Sequence, residues 1–139
     1  AEVRALLVNG STVYLGGSFS ALGVTARGNI AAVDATTGAL ASWAPEANLP
    51  VFALALNGTT VYAGGFFSTI GGQTRAGIAA LSTTTGLATT WNPGTAGGGV
   101  YALAFASEIG EIAALSDANC RLGCIGMRRR HTELFVRHR

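Results

Sequence analysis

The chain repeats itself at an offset of 48 residues, and this repeat limits the possible folds more than any single motif does. The segment VRALLVNG at 3–10 recurs as VFALALNG at 51–58, and VYLGGSFS at 13–20 recurs as VYAGGFFS at 61–68. The alignment needs no gap as far as Pro45. A period of about 20–50 residues is typical of proteins built from stacked structural units.

Each copy has the pattern of four short strands. Asn9-Gly10 and Asn57-Gly58 predict two-residue hairpin turns with positive φ at both residues. The flanking segments are rich in β-branched and aromatic residues, which favour strands. The sequence therefore predicts an all-β fold of propeller-type, four-stranded antiparallel blades. In the first copy the predicted strands are VRALLVN, TVYLGGSFS, NIAAVD and ALASW.

The repeat divides the chain into two complete blades and a remainder. Unit 1 covers residues 1–48, unit 2 covers 49–99, and a partial unit 3 at 100–119 lacks the VY-x-GG segment. A tail at 120–139 matches neither copy and carries six Arg against one acid, whereas residues 1–119 carry three Arg against six acids. An abrupt Arg-rich, Cys-containing end is what a truncated gene, or a gene read out of frame, would produce. Our hypothesis is that the tail arose in this way.

The paired glycines of VYLGGS and VYAGGF could belong to a phosphate-binding loop or to the architecture of the repeat. A P-loop needs Gly-Lys-Ser/Thr after its glycines, and the chain contains no lysine. A dinucleotide-binding loop needs G-x-G-x-x-G between a strand and a helix. Adjacent glycines inside a strand pattern indicate a bulge or the close approach of another backbone, so we favour the architectural role.

The unit NG-x-TVY-x-GG-x-F-S-x-I-GG-x-x-R, followed by IAALD, TG and W-x-P, resembles propeller-like repeats common in large bacterial secreted and cell-surface proteins. Related repeats occur in a fungal cortical marker protein. The resemblance covers residues 3–105. It implies a structural or interaction module at a secreted or cell-surface location, and it supplies no catalytic motif.

Loops that follow the second and fourth strands are expected on one side of such a blade, and they carry the candidate ligand-binding residues. An arginine, an acid and an indole on one rim could bind a glycan or a small anion. The alternative is that each arginine pairs locally and each indole seals the edge of a blade. The candidates are Arg27, Arg75, Trp43, Trp91, Glu46, Asn48 and Asn92.

A hydrolase with its site in the channel or on the rim of an assembled propeller is the alternative function. The chain offers little for it, since His131 and His138 lie in the tail. Glu108 and Glu111 could pair as acid and base or bind a metal, but we favour the interpretation that they are solvated turn residues. We expect no cofactor, no metal, no nucleic-acid partner for Arg128–Arg130 and no membrane span. Cys120 and Cys124 could be free thiols, a disulfide or, least favoured, metal ligands.

The number of blades predicts self-association. Propellers need about 4–8 blades to close a ring, and this chain holds between two and three. An open stack would leave apolar faces bare, which soluble monomers rarely tolerate beyond a few hundred Å². We therefore expect a homo-oligomer, a dimer or trimer, forming one composite propeller of about five to eight blades. The tail would add a missing strand to this propeller or dock on its outer surface.

Overall fold

The structure, a computed structural model, describes residues 1–94, 99–106, 111–116, 128–130 and 133–137. Within these ranges the chain forms strands and turns without a helix, and its sheets are antiparallel. The predicted all-β class is confirmed. The sheets are small, and in the described ranges they do not close into a ring.

Units 1 and 2 are built alike, each with a three-stranded sheet and a small outer hairpin. In unit 1 the sheet order is first, second and last strand, and the hairpin lies between the second and the last along the chain. The strands of unit 1 are β1 (Glu2–Asn9), β2 (Thr12–Ser18), β3 (Ala21–Leu22), β4 (Thr25–Ala26) and β5 (Ile30–Asp34). Those of unit 2 are β6 (Val51–Asn57), β7 (Thr60–Gly65), β8 (Thr69–Ile70), β9 (Gln73–Thr74) and β10 (Ile78–Ser82).

The prediction of a fourth regular strand in each unit is wrong. ALASW contributes only an isolated bridge between Val33 and Leu40, and Leu81 and Ala88 repeat that bridge in unit 2. The chain leaves the sheet soon afterwards, because Trp43 crosses to unit 2 and donates a hydrogen bond to a backbone carbonyl there. Units 1 and 2 therefore each have three full strands and, at the outer edge, one bridge with two backbone hydrogen bonds.

The predicted hairpins are present, but their turns differ from the prediction. Asn9 pairs with Thr12, so the two loop residues are Gly10 and Ser11 rather than Asn9 and Gly10. Gly10 has φ +61°, and Asn9 is not among the residues with positive φ. Positive φ at the first loop residue alone defines a type II′ turn, which requires glycine there.

Unit 3 contains its own sheet, to which the tail contributes. Its strands are β11 (Val100–Ala106), β12 (Glu111–Ser116), β13 (Arg128–Arg130) and β14 (Glu133–Arg137), in the order β11-β12-β14-β13. In the pairing of β11 with β12, Leu115 lies opposite Ala102. The equivalent pair in unit 2 is Gly64 opposite Ala53. The glycine pair of the repeat is thus replaced by Leu115 and Ser116.

The paired glycines are architectural. A Cβ on Gly16 would lie 2.8 Å from Cγ1 of Val51, so the first glycine admits the first strand of the next unit. A Cβ on Gly17 would lie 2.9 Å from Cα of Val3, where β1 carries a bulge. Gly64 and Gly65 repeat both relationships. Real Cβ contacts are not this short, so side chains are excluded at these positions.

The hydrophobic core lies between units rather than within them. One cluster joins the Tyr14 and Trp43 side of unit 1 to the Val51 side of unit 2. A second cluster joins the Tyr62 side of unit 2 to the first two strands of unit 3. Each blade therefore buries one face against its successor. The most completely buried large side chains are Tyr62, Phe67, Ile30, Ile70, Ile78, Leu81 and Ile112.

Candidate functional site

The two repeat arginines lie at the outer hairpins and bind backbone carbonyls. Arg27 donates to the carbonyl oxygens of Ala26 and Ala41 at 2.8 and 3.0 Å. Arg75 makes the same two contacts one unit later, at 2.7 and 2.8 Å. The Nε atom of each is buried without a hydrogen-bond partner in the described part of the chain. Each arginine therefore ties a hairpin to the outer segment of its own blade.

The two repeat tryptophans pack on tyrosines of their own blades. Trp43 is 7% exposed, meets Tyr14 edge-on at 4.9 Å between ring centroids, and donates from Nε1 to the carbonyl of Ser82 at 2.8 Å. Trp91 meets Tyr62 in the same way at 5.3 Å and is half-buried. Burial raises the pKa of both tyrosine hydroxyls. Trp43 is thus part of the contact between units 1 and 2.

Glu46 and Asn92 complete the set predicted from the sequence. Glu46 has φ +54°, and its Oε2 atom accepts a hydrogen bond from the backbone amide of Gly28 at 2.6 Å. Asn92 is exposed. The carboxylate of Glu46 thus holds the loop that follows Arg27. Binding of a glycan or a small anion at these residues stays a prediction.

Sequence analysis did not predict the role of the segment Trp43–Asn48, which we call the strap. It leaves unit 1 and runs along the outer side of unit 2. Its odd-numbered side chains, Trp43, Pro45 and Ala47, are buried, and the alternate ones are exposed. The repeated W-x-P at Trp43 and Trp91 was the signal in the sequence, but nothing in it indicated which unit the segment would contact.

The strap holds the hairpin of unit 2 by hydrogen bonds. Oδ1 of Asn48 accepts from the amides of Ser68 and Thr69 at 2.9 and 3.0 Å, and its Nδ2 donates to the Ser68 hydroxyl at 2.8 Å. The carbonyl of Pro45 accepts from the amide of Gly71 at 2.8 Å. One asparagine side chain therefore satisfies two backbone donors and one hydroxyl of the next blade.

A second feature missed by sequence analysis is a row of side chains along the first strands. Arg4, Phe52 and Tyr101 each occupy the bulge of their strand. The guanidinium carbon of Arg4 lies 4.9 Å from the centroid of Phe52, which stacks on Tyr101 at 5.2 Å with 7° between planes. Phe66 meets both rings edge-on. Contacts of this kind add about 0.5–1.5 kcal/mol each and join the three units.

Several candidates lie outside the described residues. These are Cys120, Cys124, Glu108, His131 and His138, and only the backbone position of Glu111 in β12 is described. In the rest of the chain, no three His, Cys, Asp or Glu side chains come together as a metal site would require. The described ranges also contain no helix with the length and apolarity that a bilayer crossing demands.

Comparison of the sequence with protein-family models and with curated proteins finds no match. The inference of function therefore rests on the geometry of the blades and on the comparison of unit 1 with unit 2.

Proposed function

We propose that this chain is an interaction module of the secreted or cell-surface type, which binds β-sheet blades through the open face of unit 1. The observation that supports this is the exposure of large apolar side chains on β1. Leu6 and Val8 are each 65% exposed and Val3 is 48% exposed. Their counterparts in unit 2 pack against unit 1, and Val51 is 0% exposed.

The size of the face sets the strength of the association. Three strands of about seven residues present roughly 300 Å², and burial is worth about 25 cal/mol per Å². Two such faces would bury roughly 600 Å² together, which is at most half of the ~1,200–2,000 Å² that stable interfaces bury. We therefore expect weak, concentration-dependent association when no other blade is present, with a second copy as the partner.

The opposite end of the stack is less suited to a further blade. Close approach of the next unit requires glycine at positions 16 and 64, because a Cβ there would overlap a valine of that unit. Leu115 holds this register position in unit 3. A homodimer formed through unit 1 is therefore the smallest assembly that covers the exposed face.

Light scattering and analytical ultracentrifugation over a range of concentrations test the proposal. The wild-type chain should shift from 14.0 kDa towards twice that mass as its concentration rises. Leu6→Glu should stay monomeric at every concentration, because a carboxylate would be desolvated in the interface. Val24→Glu is the matched control, since Val24 is fully exposed outside this face. A wild-type monomer at all concentrations, or equal effects of both substitutions, would refute the proposal.

The hydrolase alternative has no supporting observation in the described ranges, since Glu108 lies outside them and only the backbone of Glu111 is described. A hydrolase panel run on the wild-type chain would test it directly.

A further inference from the structure

Two residues other than glycine adopt a left-handed backbone in the described part of the chain, and both lie where unit 1 meets the strap. Asn29 has φ +62° and Glu46 has φ +54°. Their counterparts in unit 2 are Gly77, with φ +74°, and Gly94, with φ +70°. The blade therefore requires a left-handed backbone at both positions. Unit 2 meets this requirement with glycine, whereas unit 1 uses residues that are strained in this conformation.

The side chains of these two residues hold the strap to unit 1. Oε2 of Glu46 accepts a hydrogen bond from the amide of Gly28 at 2.6 Å. Nδ2 of Asn29 donates to the carbonyl of Ala47 at 2.8 Å, and Oδ1 of Asn29 accepts from the amide of Phe19 at 3.0 Å. The amide of Ala47 donates in turn to the carbonyl of Gly28 at 2.9 Å. Because hydrogen bonds to a charged acceptor are stronger than average, these contacts offset the strain of the left-handed residues.

Gly28 gives the carboxylate of Glu46 the room that it needs. A Cβ on Gly28 would lie 2.8 Å from Oε2 of Glu46, so a larger residue would push the carboxylate away. In unit 2 the counterpart of Gly28 is Ala76, and the counterpart of Glu46 is Gly94, so no carboxylate is displaced there. With Asn29, unit 1 therefore differs from unit 2 at three positions together, and all three differences serve one contact.

We propose that Gly28, Asn29 and Glu46 form a latch that controls local opening of the strap. In the closed form, which is the one described above, the strap covers the outer hairpin of unit 2. In the open form residues 45–48 leave this hairpin while both blades stay folded and Trp43 stays in place. Opening uncovers the amides of the hairpin, so the latch sets the fraction of time for which these donors are accessible. The inference goes beyond the proposed function and does not depend on self-association.

Beyond Trp43, the strap is held to unit 2 by few contacts. Of its residues 44–48, only Pro45 and Ala47 are buried, and none of the five belongs to a strand. Their hydrogen bonds to unit 2 go to the short segment 68–71. A segment with few buried apolar contacts opens at a lower free energy than a sheet does. The bonds of the latch to unit 1 are therefore expected to decide how stable the closed form is.

Native-state hydrogen exchange on the full chain, at several low urea concentrations, tests whether the strap opens by itself. The reporters are the amides of Ser68, Thr69 and Gly71, which the strap binds. We expect them to exchange faster than the amides of β7 and β10, through an opening that urea hardly promotes, because it exposes little surface. Exchange of the reporters with the same rate and urea dependence as β7 would show that the strap opens only on global unfolding, and the proposal would be wrong.

Two variants that copy the residues of unit 2 separate the latch from general stability. Glu46→Gly and Gly28→Ala should each speed exchange of the three reporter amides by about tenfold, the effect expected for one hydrogen bond to a charged group. Exchange in β7 and β10 should stay at the wild-type rate, as it should everywhere in the control Val24→Glu. Because both substitutions break the same contact, the double variant should exchange no faster than either single variant. Unchanged reporters, equal acceleration in β7, or effects that multiply in the double variant would each overturn the proposal.

Discussion

A Cβ on Gly64 would lie 2.6 Å from Cγ1 of Val100, a separation that real side chains do not adopt. Gly64 belongs to β7, near the middle of its sheet, and Val100 opens the first strand of unit 3. The distance between the two blades is therefore set by the absence of a side chain at this one position.

Gly64→Ala should destabilise the protein by about 1–3 kcal/mol, because the added methyl overpacks the contact with Val100. Urea denaturation measures the loss. Val100→Ala removes the opposing methyl groups, so the double variant should lose less stability than the sum of the two single variants. Strict additivity would mean that the two residues do not limit the spacing of the blades.

Arg75→Ala should lower the unfolding free energy by about 1–3 kcal/mol, since it leaves two backbone carbonyls without their charged donor. Arg75→Lys is the control for charge, because a single ammonium group cannot reproduce the fork that binds both carbonyls. We expect the lysine variant to recover only part of the loss in a thermal or urea titration. Full recovery would show that charge alone matters at this position.

Gly58→Ala should cost about 1–2 kcal/mol, because Gly58 has φ +58° in its type II′ turn and other residues are strained there. Thr59→Ala, at the next position of the same loop, should change stability by less than about 0.5 kcal/mol. The two variants can be compared by their urea midpoints. Similar midpoints would contradict the assigned turn.

We expect the carboxyl group of Asp34 to contribute to the pH dependence of the protein's stability. Hydrogen bonds from the amides of Thr37 and Thr36 hold the pKa of its carboxyl below the usual 3.8. Because the folded-state pKa is lowered, the stabilisation is present above the usual pKa and is lost as pH falls through the folded value. Asp34→Ser is the matched variant, since Ser82 accepts the equivalent amide bonds in unit 2. Its melting temperature should fall less than that of wild type between neutral pH and pH 3.

The first three strands of each complete unit and the role of the glycine pair could be predicted from the sequence because both are local. The fourth strand was wrong, and the outer hairpins were not predicted. Two copies with matching β-branched positions specify where the strands lie, and a lysine-free GG inside a strand pattern excludes a phosphate loop. The turn type was wrong because Asn-Gly suits either of two registers. The structure adopts the register that pairs Asn9 with Thr12, and the dipeptide itself does not distinguish the two.

The contacts of the candidate site depended on long-range geometry that the repeat pattern does not contain. Arg27 and Glu46 were predicted to bind a ligand, and this stays a prediction. In the structure their hydrogen-bond partners are backbone groups of nearby loops. Trp43 was expected at a blade edge, and it lies there, but its indole bonds to the following unit. A carbonyl 39 residues away along the chain cannot be identified from residue types.

Both hydrophobic clusters of the described residues join neighbouring units. Stability therefore comes largely from the coupling of each unit to its neighbours, as in a one-dimensional array. Unit 2 shares a hydrophobic cluster with a neighbouring unit on both of its sides, whereas unit 1 does so on one side. Opening of unit 1 alone would break one coupling, whereas opening of unit 2 would break both. Amide exchange in native conditions would then be slowest in β7 and β10 and faster in β1, so that the chain opens from its first blade inward.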